Sequence, residues 1–180
     1  YRAAKPWQAP TSEVYLVQRA GMVLPVEEHT ALVRQYLAAA EKLSRPKRDN
    51  ARVVLTGGFC EQPPLALIKS IEMAGCYVVD DDFMLVGRWL LDHVPTDGDP
   101  LAELSKAFLH RSATTAAKYE ATREEKGVFL MKQVKTRGAE GVVFAAPSFC
   151  DPALLERPML QDVLAAHGIA HTAFKYAENT

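Results

Sequence analysis

Residues 52–58 read Arg-Val-Val-Leu-Thr-Gly-Gly, and this stretch decides the predicted fold. A short β-branched run that stops at two glycines is typical of a buried parallel strand that turns sharply at its carboxyl end. Three further apolar runs have the length of strands, at residues 76–79, 141–146 and 169–174. The sequence therefore predicts four short strands.

Segments with helical periodicity separate these strands. One begins at Val26 and ends before Pro46, and another begins beside Pro63 and Pro64 and ends at Gly75. Four more helices are predicted at residues 83–91, 101–111, 115–137 and 153–167. The longest of these has an apolar face made of Tyr119, Val128, Phe129, Met131 and Val134.

Strands that alternate with helices favour parallel pairing, because a right-handed crossover packs each helix back on the sheet. We therefore predict an α/β fold with an open, mostly parallel, four-stranded sheet that is singly wound. Helices flank this sheet in a three-layer arrangement of the flavodoxin or Rossmann type. Residues 26–180 would form this domain, and the proline-punctuated residues 1–25 would be an extended connector from a missing N-terminal domain.

Composition narrows the class of protein. The 180 residues suit one domain, and a net charge of −1 argues against a nucleic-acid partner. No run approaches the roughly 20 apolar residues of a membrane span, and the first residues lack the apolar core of a signal peptide. Three scattered cysteines are typical of thiols or metal ligands rather than disulfides. These features favour a cytoplasmic protein with no membrane contact.

Residues that follow parallel strands meet at the carboxyl edge of the sheet, where open α/β folds bind their ligands. Here those segments are residues 57–62, 80–84 and 147–152, and they contain Cys60 and Cys150. Cys76 opens its strand at the opposite edge, where a small buried thiol has a structural role. The pair Cys60 and Cys150 is therefore the candidate site.

A thiolate beside helix amides is a ready ligand for iron or zinc, so one interpretation of this pair is a metal site. Two cysteines do not complete an iron–sulfur site, and the other ligands would come from another domain or chain. A cysteine nucleophile is the alternative, although it needs a nearby base. The five histidines lie mostly on predicted helices or at the opposite edge: His29, His93, His110, His167 and His171.

Two further motifs have weaker functional interpretations. Asp80, Asp81 and Asp82 would bind a divalent cation or act as a base, but acidic residues after a strand also cap the next helix. Thr56-Gly57-Gly58 before a helix is similar to a phosphate-binding turn, yet it lacks the GxGxxG pattern and the P-loop lysine. The sequence does not choose between these alternatives.

Four ordered motifs carry a family resemblance. They are residues 57–64 (Gly-Gly-Phe-Cys-Glu-Gln-Pro-Pro), 72–82 (Glu-Met-Ala-Gly-Cys-Tyr-Val-Val-Asp-Asp-Asp), 87–88 (Gly-Arg) and 149–152 (Phe-Cys-Asp-Pro). With these motifs in this order the chain resembles the benzoyl-CoA reductase and 2-hydroxyacyl-CoA dehydratase family. The resemblance covers essentially the whole chain and is greatest to the C-terminal part of a B-type subunit of ATP-dependent benzoyl-CoA reductase.

The resemblance implies an oxidoreductase subunit with a 4Fe-4S cluster held by three cysteines, one of which is Cys150. Cys60 is the second possible ligand, and Cys60 and Glu61 would line the substrate side. Met84, where dehydratases often have cysteine, and the presence of Cys60 both favour the reductase branch. No catalytic residue is implied.

The resemblance also implies a hetero-oligomer that acts in anaerobic degradation of aromatic compounds. Its partners would be other reductase subunits, including ATP-hydrolysing activator subunits, together with ferredoxin and an aromatic acyl-CoA. ATP and ferredoxin would act through other subunits. The alternatives are a radical 2-hydroxyacyl-CoA dehydratase subunit and a non-catalytic subunit that binds acyl-CoA.

Overall fold

The computed structural model describes residues 1–57, 63–83, 93–110 and 127–177. The helices within these ranges are α1 (Thr11–Arg19), α2 (Val26–Lys42), α3 (Leu65–Met73), α4 (Pro100–His110), α5 (Val128–Arg137) and α6 (Asp151–Ala166), with one 3₁₀ turn at Ala20–Met22. The strands are β1 (Ala51–Thr56), β2 (Cys76–Asp81), β3 (Gly141–Pro147) and β4 (Ala170–Tyr176).

The four strands form one sheet in the order β2-β1-β3-β4, and all three pairings are parallel. β1 and β3 lie in the middle of the sheet, with Leu55 opposite Val143 and Thr56 opposite Phe144. Every residue of β3 is buried, as expected for a central parallel strand covered on both faces. The predicted four-stranded parallel sheet is confirmed.

Apolar side chains cover both faces of the sheet. One face packs Val53, Leu55 and Val143 against Ile71 of α3. On the other face lies a second cluster, with side chains from β1, β3, α5 and α6: Val54, Val142, Phe144, Leu130, Val134 and Leu164. The three-layer arrangement is therefore confirmed.

The predicted single direction of winding is wrong. From β1 the chain crosses through α3 to β2 on one side, whereas β3 crosses through α6 to β4 on the other. Right-handed crossovers that run in opposite directions place their helices on opposite faces of a sheet. The sheet is therefore doubly wound, and its direction changes between β1 and β3.

A β-bulge in β2 changes which face its last residues take. Val53 pairs with Val78, but Val54 pairs with Asp80, so Val79 is an extra residue in the edge strand. As a result, Asp80 shares a face with Val54 and α5, whereas Asp81 shares a face with Leu55 and α3. The two carboxylates point to opposite sides of the sheet edge.

The first 25 residues are not extended. They include α1, where Thr11 donates from Oγ1 to the Val78 carbonyl at 2.9 Å and from its backbone N–H to Glu72 Oε1 at 2.6 Å. The buried Tyr15 hydroxyl donates to the Pro63 carbonyl at 2.8 Å, which ties α1 to the start of α3. Several prolines obscured a helix whose few buried side chains pack against β2 and α3. The role of residues 1–25 as a connector to another domain stays a prediction.

The predicted helix at residues 115–137 is wrong at Gly127, which has φ +95° and precedes the start of α5 at Val128. Its predicted apolar face is also partly wrong, since Leu130 and Val134 are buried whereas Val128 is exposed. Gly138, in a left-handed conformation, ends α5 as predicted. The predicted helix at 83–91 and the side chain of Tyr119 lie outside the described residues, apart from Phe83, which is buried.

The remaining helix predictions are confirmed to within a few residues. α2 ends before Pro46, α3 begins after Pro64, and Gly75 follows the end of α3 with φ +93°. Within the four described ranges, no helix is both long and apolar enough to cross a membrane.

We predict that Arg2→Met lowers the free energy of unfolding by about 3 kcal/mol, because it leaves a buried carboxylate without its cation. Arg2 pairs with Asp81, whose side chain is only 4% exposed. Arg45→Met is the matched control, since Arg45 pairs with the more exposed Glu13 and its loss should cost less than about 1 kcal/mol. Urea denaturation measures both, and equal losses would contradict the prediction.

Candidate functional site

A carboxylate holds the turn that leaves β1. Asp82 accepts a hydrogen bond from Thr56 Oγ1 at 2.6 Å, and both of its oxygens lie within 3.1 Å of the Gly57 backbone N–H. Gly57 has φ +117°, and a Cβ atom at this position would lie 2.7 Å from the Ala145 carbonyl oxygen of β3. Only glycine fits this turn without strain, and the turn leads directly into residues 58–62.

Cys150 lies at the same edge of the sheet, in the turn that joins β3 to α6. Its backbone N–H donates to the Pro147 carbonyl at 3.0 Å, and its carbonyl accepts from the Leu154 N–H at 3.0 Å. The Ser148 N–H fixes the start of this turn on the Tyr176 carbonyl at 2.8 Å. Cys150 is completely buried and is not in a disulfide, and its side chain does not cap the helix. The sequence therefore placed Cys150 correctly at the carboxyl edge.

The three aspartates have structural partners. Asp80 accepts from Arg137 Nε at 2.8 Å, and Asp81 accepts from Arg2 and from the Phe83 N–H. Asp82 holds the β1 turn as described above. The structural interpretation is thus closer than a cation site or a base, although these carboxylates stabilise turns and pair with arginines rather than cap a described helix.

Cys76 and three of the histidines lie away from Cys150. Cys76 begins β2 at the amino edge of the sheet, and burial raises the pKa of its thiol. His29, His167 and His171 each place a ring nitrogen 2.8–3.0 Å from a backbone carbonyl oxygen, on α2, after α6 and on β4. At those places they cannot act as a base for Cys150, which weakens the nucleophile alternative.

Cys60 and Glu61 lie outside the described residues. Among residues 1–57, 63–83, 93–110 and 127–177, no group of three or more histidine, cysteine, aspartate or glutamate residues is arranged to hold a metal. The described donor set at the carboxyl edge is the single thiol of Cys150. One buried thiol fits one ligand of an iron–sulfur cluster and does not by itself make a site.

One polar group near this edge was not singled out by the sequence. Arg157 of α6 is partly buried, and its Nε atom is buried without a hydrogen-bond partner. Arginine seven residues after a cysteine is no recognised motif, so only the packed structure reveals it.

The amino edge of the sheet carries a cavity of about 730 Å³. Its lining includes Trp7, Lys47, Arg48, Tyr77 and His171, none of which the sequence predicted as part of a site. Lys47 Nζ lies 5.3 Å from the centroid of the Trp7 ring. The cavity is at the opposite edge from Cys150, so it does not belong to the candidate site.

The fold and the site define an open, doubly wound α/β domain with a buried thiol beside the change of winding direction. A family model described as 2-hydroxyglutaryl-CoA dehydratase, D-component, matches residues 1–179. The chain belongs to this family.

Relatives within the family have two kinds of name. The chain is 59% identical over 179 residues to a benzoyl-CoA reductase subunit of Thauera aromatica, covering 99% of this chain and 46% of that protein. It is 26% identical over 162 residues to the (R)-phenyllactyl-CoA dehydratase beta subunit of Clostridium sporogenes, covering 90% and 42%. To the beta subunit of (R)-2-hydroxyglutaryl-CoA dehydratase from Acidaminococcus fermentans it is 24% identical over 164 residues, covering 90% and 43%.

These comparisons confirm the resemblance to the benzoyl-CoA reductase and 2-hydroxyacyl-CoA dehydratase family. The relative with 59% identity is a reductase subunit, as the resemblance implied, and the two dehydratase subunits are more distant. The chain spans less than half the length of these relatives.

We predict that Gly57→Ala destabilises the protein by about 2 kcal/mol more than Gly75→Ala. Both positions have positive φ, so both variants carry backbone strain of about 1–3 kcal/mol. Only at Gly57 does the new Cβ also collide with a carbonyl oxygen, because nothing lies within 4 Å of a Cβ at Gly75. Chemical denaturation of the two variants measures the difference, and similar losses would argue against a close approach of β1 and β3.

Proposed function

We propose that this chain is part of the catalytic subunit of an ATP-dependent, ferredoxin-linked reductase that dearomatises benzoyl-CoA. The observation that carries this proposal is the 59% identity to a benzoyl-CoA reductase subunit over 99% of the chain. Identity to the dehydratase subunits is much lower, at 24–26%. Since the chain matches less than half of each relative, the whole activity would also need segments beyond these residues.

The cofactor in this proposal is a 4Fe-4S cluster with Cys150 as one ligand. When bound, such a cluster supplies low-potential electrons. A cluster of this kind generally takes three or four protein ligands, and the described residues contribute one. Cys60 is a possible second ligand, and the others would come from outside this chain.

The residues of this chain would shape the surroundings of the cluster. Complete burial of Cys150 excludes water from its thiol, and two backbone hydrogen bonds fix its position in the β3–α6 turn. Asp82 fixes the β1 turn, from which Cys60 and Glu61 follow along the chain. In this proposal Cys60 and Glu61 line the substrate side, where an aromatic acyl-CoA binds.

Exposed apolar side chains support the proposal of partner subunits. Phe149, next to Cys150, is 63% exposed, and Leu155 on the first turns of α6 is 75% exposed. Apolar residues this exposed and this close together favour an interface between proteins. The proposed partners are other reductase subunits, including ATP-hydrolysing activator subunits, and ferredoxin, and the proposed location is the cytoplasm.

A radical 2-hydroxyacyl-CoA dehydratase subunit is the second candidate, favoured by the dehydratase description of the family model. A third candidate is a non-catalytic subunit that binds acyl-CoA, because an α/β fold alone implies no chemistry. Two experiments separate the three.

We predict that the full-length protein, assembled with its partner subunits and supplied with ATP and a low-potential donor, reduces benzoyl-CoA. The same complex should not dehydrate 2-hydroxyacyl-CoA thioesters, because the greater identity is to a reductase. Product analysis by mass spectrometry distinguishes a gain of two hydrogens from a loss of water. Dehydration without ring reduction would favour the second candidate instead.

We predict that Cys150→Ser abolishes stable iron and acid-labile sulfide in the full-length protein after anaerobic reconstitution, because serine replaces a thiolate ligand. Cys76→Ser is the matched control, since Cys76 lies at the opposite edge, and it should keep wild-type iron. Iron analysis and circular dichroism measure cluster content and folding. Wild-type iron in a folded Cys150→Ser protein would remove Cys150 as a ligand.

A further inference from the structure

Arg157 is a cation without a counter-ion in the described part of the chain. It is partly buried, its Nε atom is buried without a hydrogen-bond partner, and no described acidic side chain forms an ion pair with it. A buried donor that has lost its water and gained no partner costs free energy of folding. Such a group is therefore satisfied most simply by an anion that is not part of the protein fold.

The position of Arg157 on α6 relates it to Cys150. Arg157 is seven residues after Cys150 and seven before Leu164, and seven residues make about two turns of an α-helix. The three residues therefore lie on one line along the helix, and both Cys150 and Leu164 are completely buried. Because helical side chains lean toward the helix N-terminus, Arg157 leans from this inner line toward the turn that contains Cys150.

The acidic residues of α6 do not share this line. Asp151, Glu156 and Asp162 are six, one and five residues from Arg157, which places each of them about 100° or more around the helix axis. Glu156 already has another interaction. The inner line of α6 is thus positively charged next to the candidate ligand.

We propose that Arg157 is a positioning residue that donates Nε–H to the anionic iron–sulfur group ligated by Cys150 and raises its reduction potential. The inference rests on the proposed function, which supplies the cluster. Thiolate-ligated clusters carry negative charge, and reduction adds one more negative charge. A nearby cation and an N–H donor to sulfur stabilise the reduced state more than the oxidised state. Removing them makes reduction harder, so the potential becomes more negative.

The test is a redox titration of the full-length protein after anaerobic reconstitution, followed by electron paramagnetic resonance. Arg157→Met should keep wild-type iron and sulfide, because Arg157 is not a ligand. At a fixed potential its ratio of reduced to oxidised cluster should fall by about tenfold, equal to a shift of about 59 mV for one electron. Arg157→Lys, which keeps the charge but not the Nε–H, should lie between Arg157→Met and wild type.

Arg34→Met on the exposed side of α2 is the control for removal of one positive charge, and its potential should stay that of the wild type. A wild-type potential in Arg157→Met would overturn the inference and leave the proposed function standing. Absence of any cluster in the wild-type protein would instead overturn both.

Stability of the cluster-free protein gives a second readout. Arg157→Met should unfold at the same temperature as wild type or at a higher one, because it removes an unpaired and partly buried charge. A marked loss of thermal stability in Arg157→Met would show that the arginine is structural, and would overturn the inference whatever the potential.

Discussion

The parallel pairing of β1 with β3 is the constraint on which the rest of the structure depends. It sets the two central strands side by side and makes the chain cross in opposite directions on either side of them. Helices consequently cover both faces, and the turns after β1 and β3 emerge next to each other. Gly57 shows how close this approach is, since its backbone leaves no room for a side chain against Ala145. The candidate site exists because two turns that are far apart in sequence share this one edge.

The N-terminal residues support that edge from the side. Arg2 and Thr11 attach the first segment to β2, and Tyr15 holds the carbonyl of Pro63, where the chain enters α3. Residues 58–62 therefore run between two fixed points, the Asp82-held turn at Gly57 and the anchored Pro63. A segment that holds a candidate ligand and a candidate substrate residue is thus tethered at both ends by polar contacts.

Local patterns predicted much of this fold and less of its site. Strand runs, the proline before α3 and the glycines after α3 and α5 act through backbone preferences of their own residues, so the sequence alone reveals them. α1 was missed because its stability comes from contacts with β2 and α3. The winding direction and the Val79 bulge are properties of strand pairing, which single-strand patterns do not contain. Cys150 could be predicted because it directly follows a strand, whereas the unpartnered Arg157 is recognisable only after packing.

The bulge at Val79 gives a residue without polar chemistry control over the charges around it. Side chains alternate between the faces of a strand, so one inserted or deleted residue reverses every position that follows. Without Val79, Asp80 would exchange its arginine on α5 for the opposite face, and Asp82 would turn away from Thr56 and Gly57. The edge strand behaves as a parity switch: an odd count of residues between Val78 and Asp82 aligns the carboxylate with the β1 turn, and an even count does not.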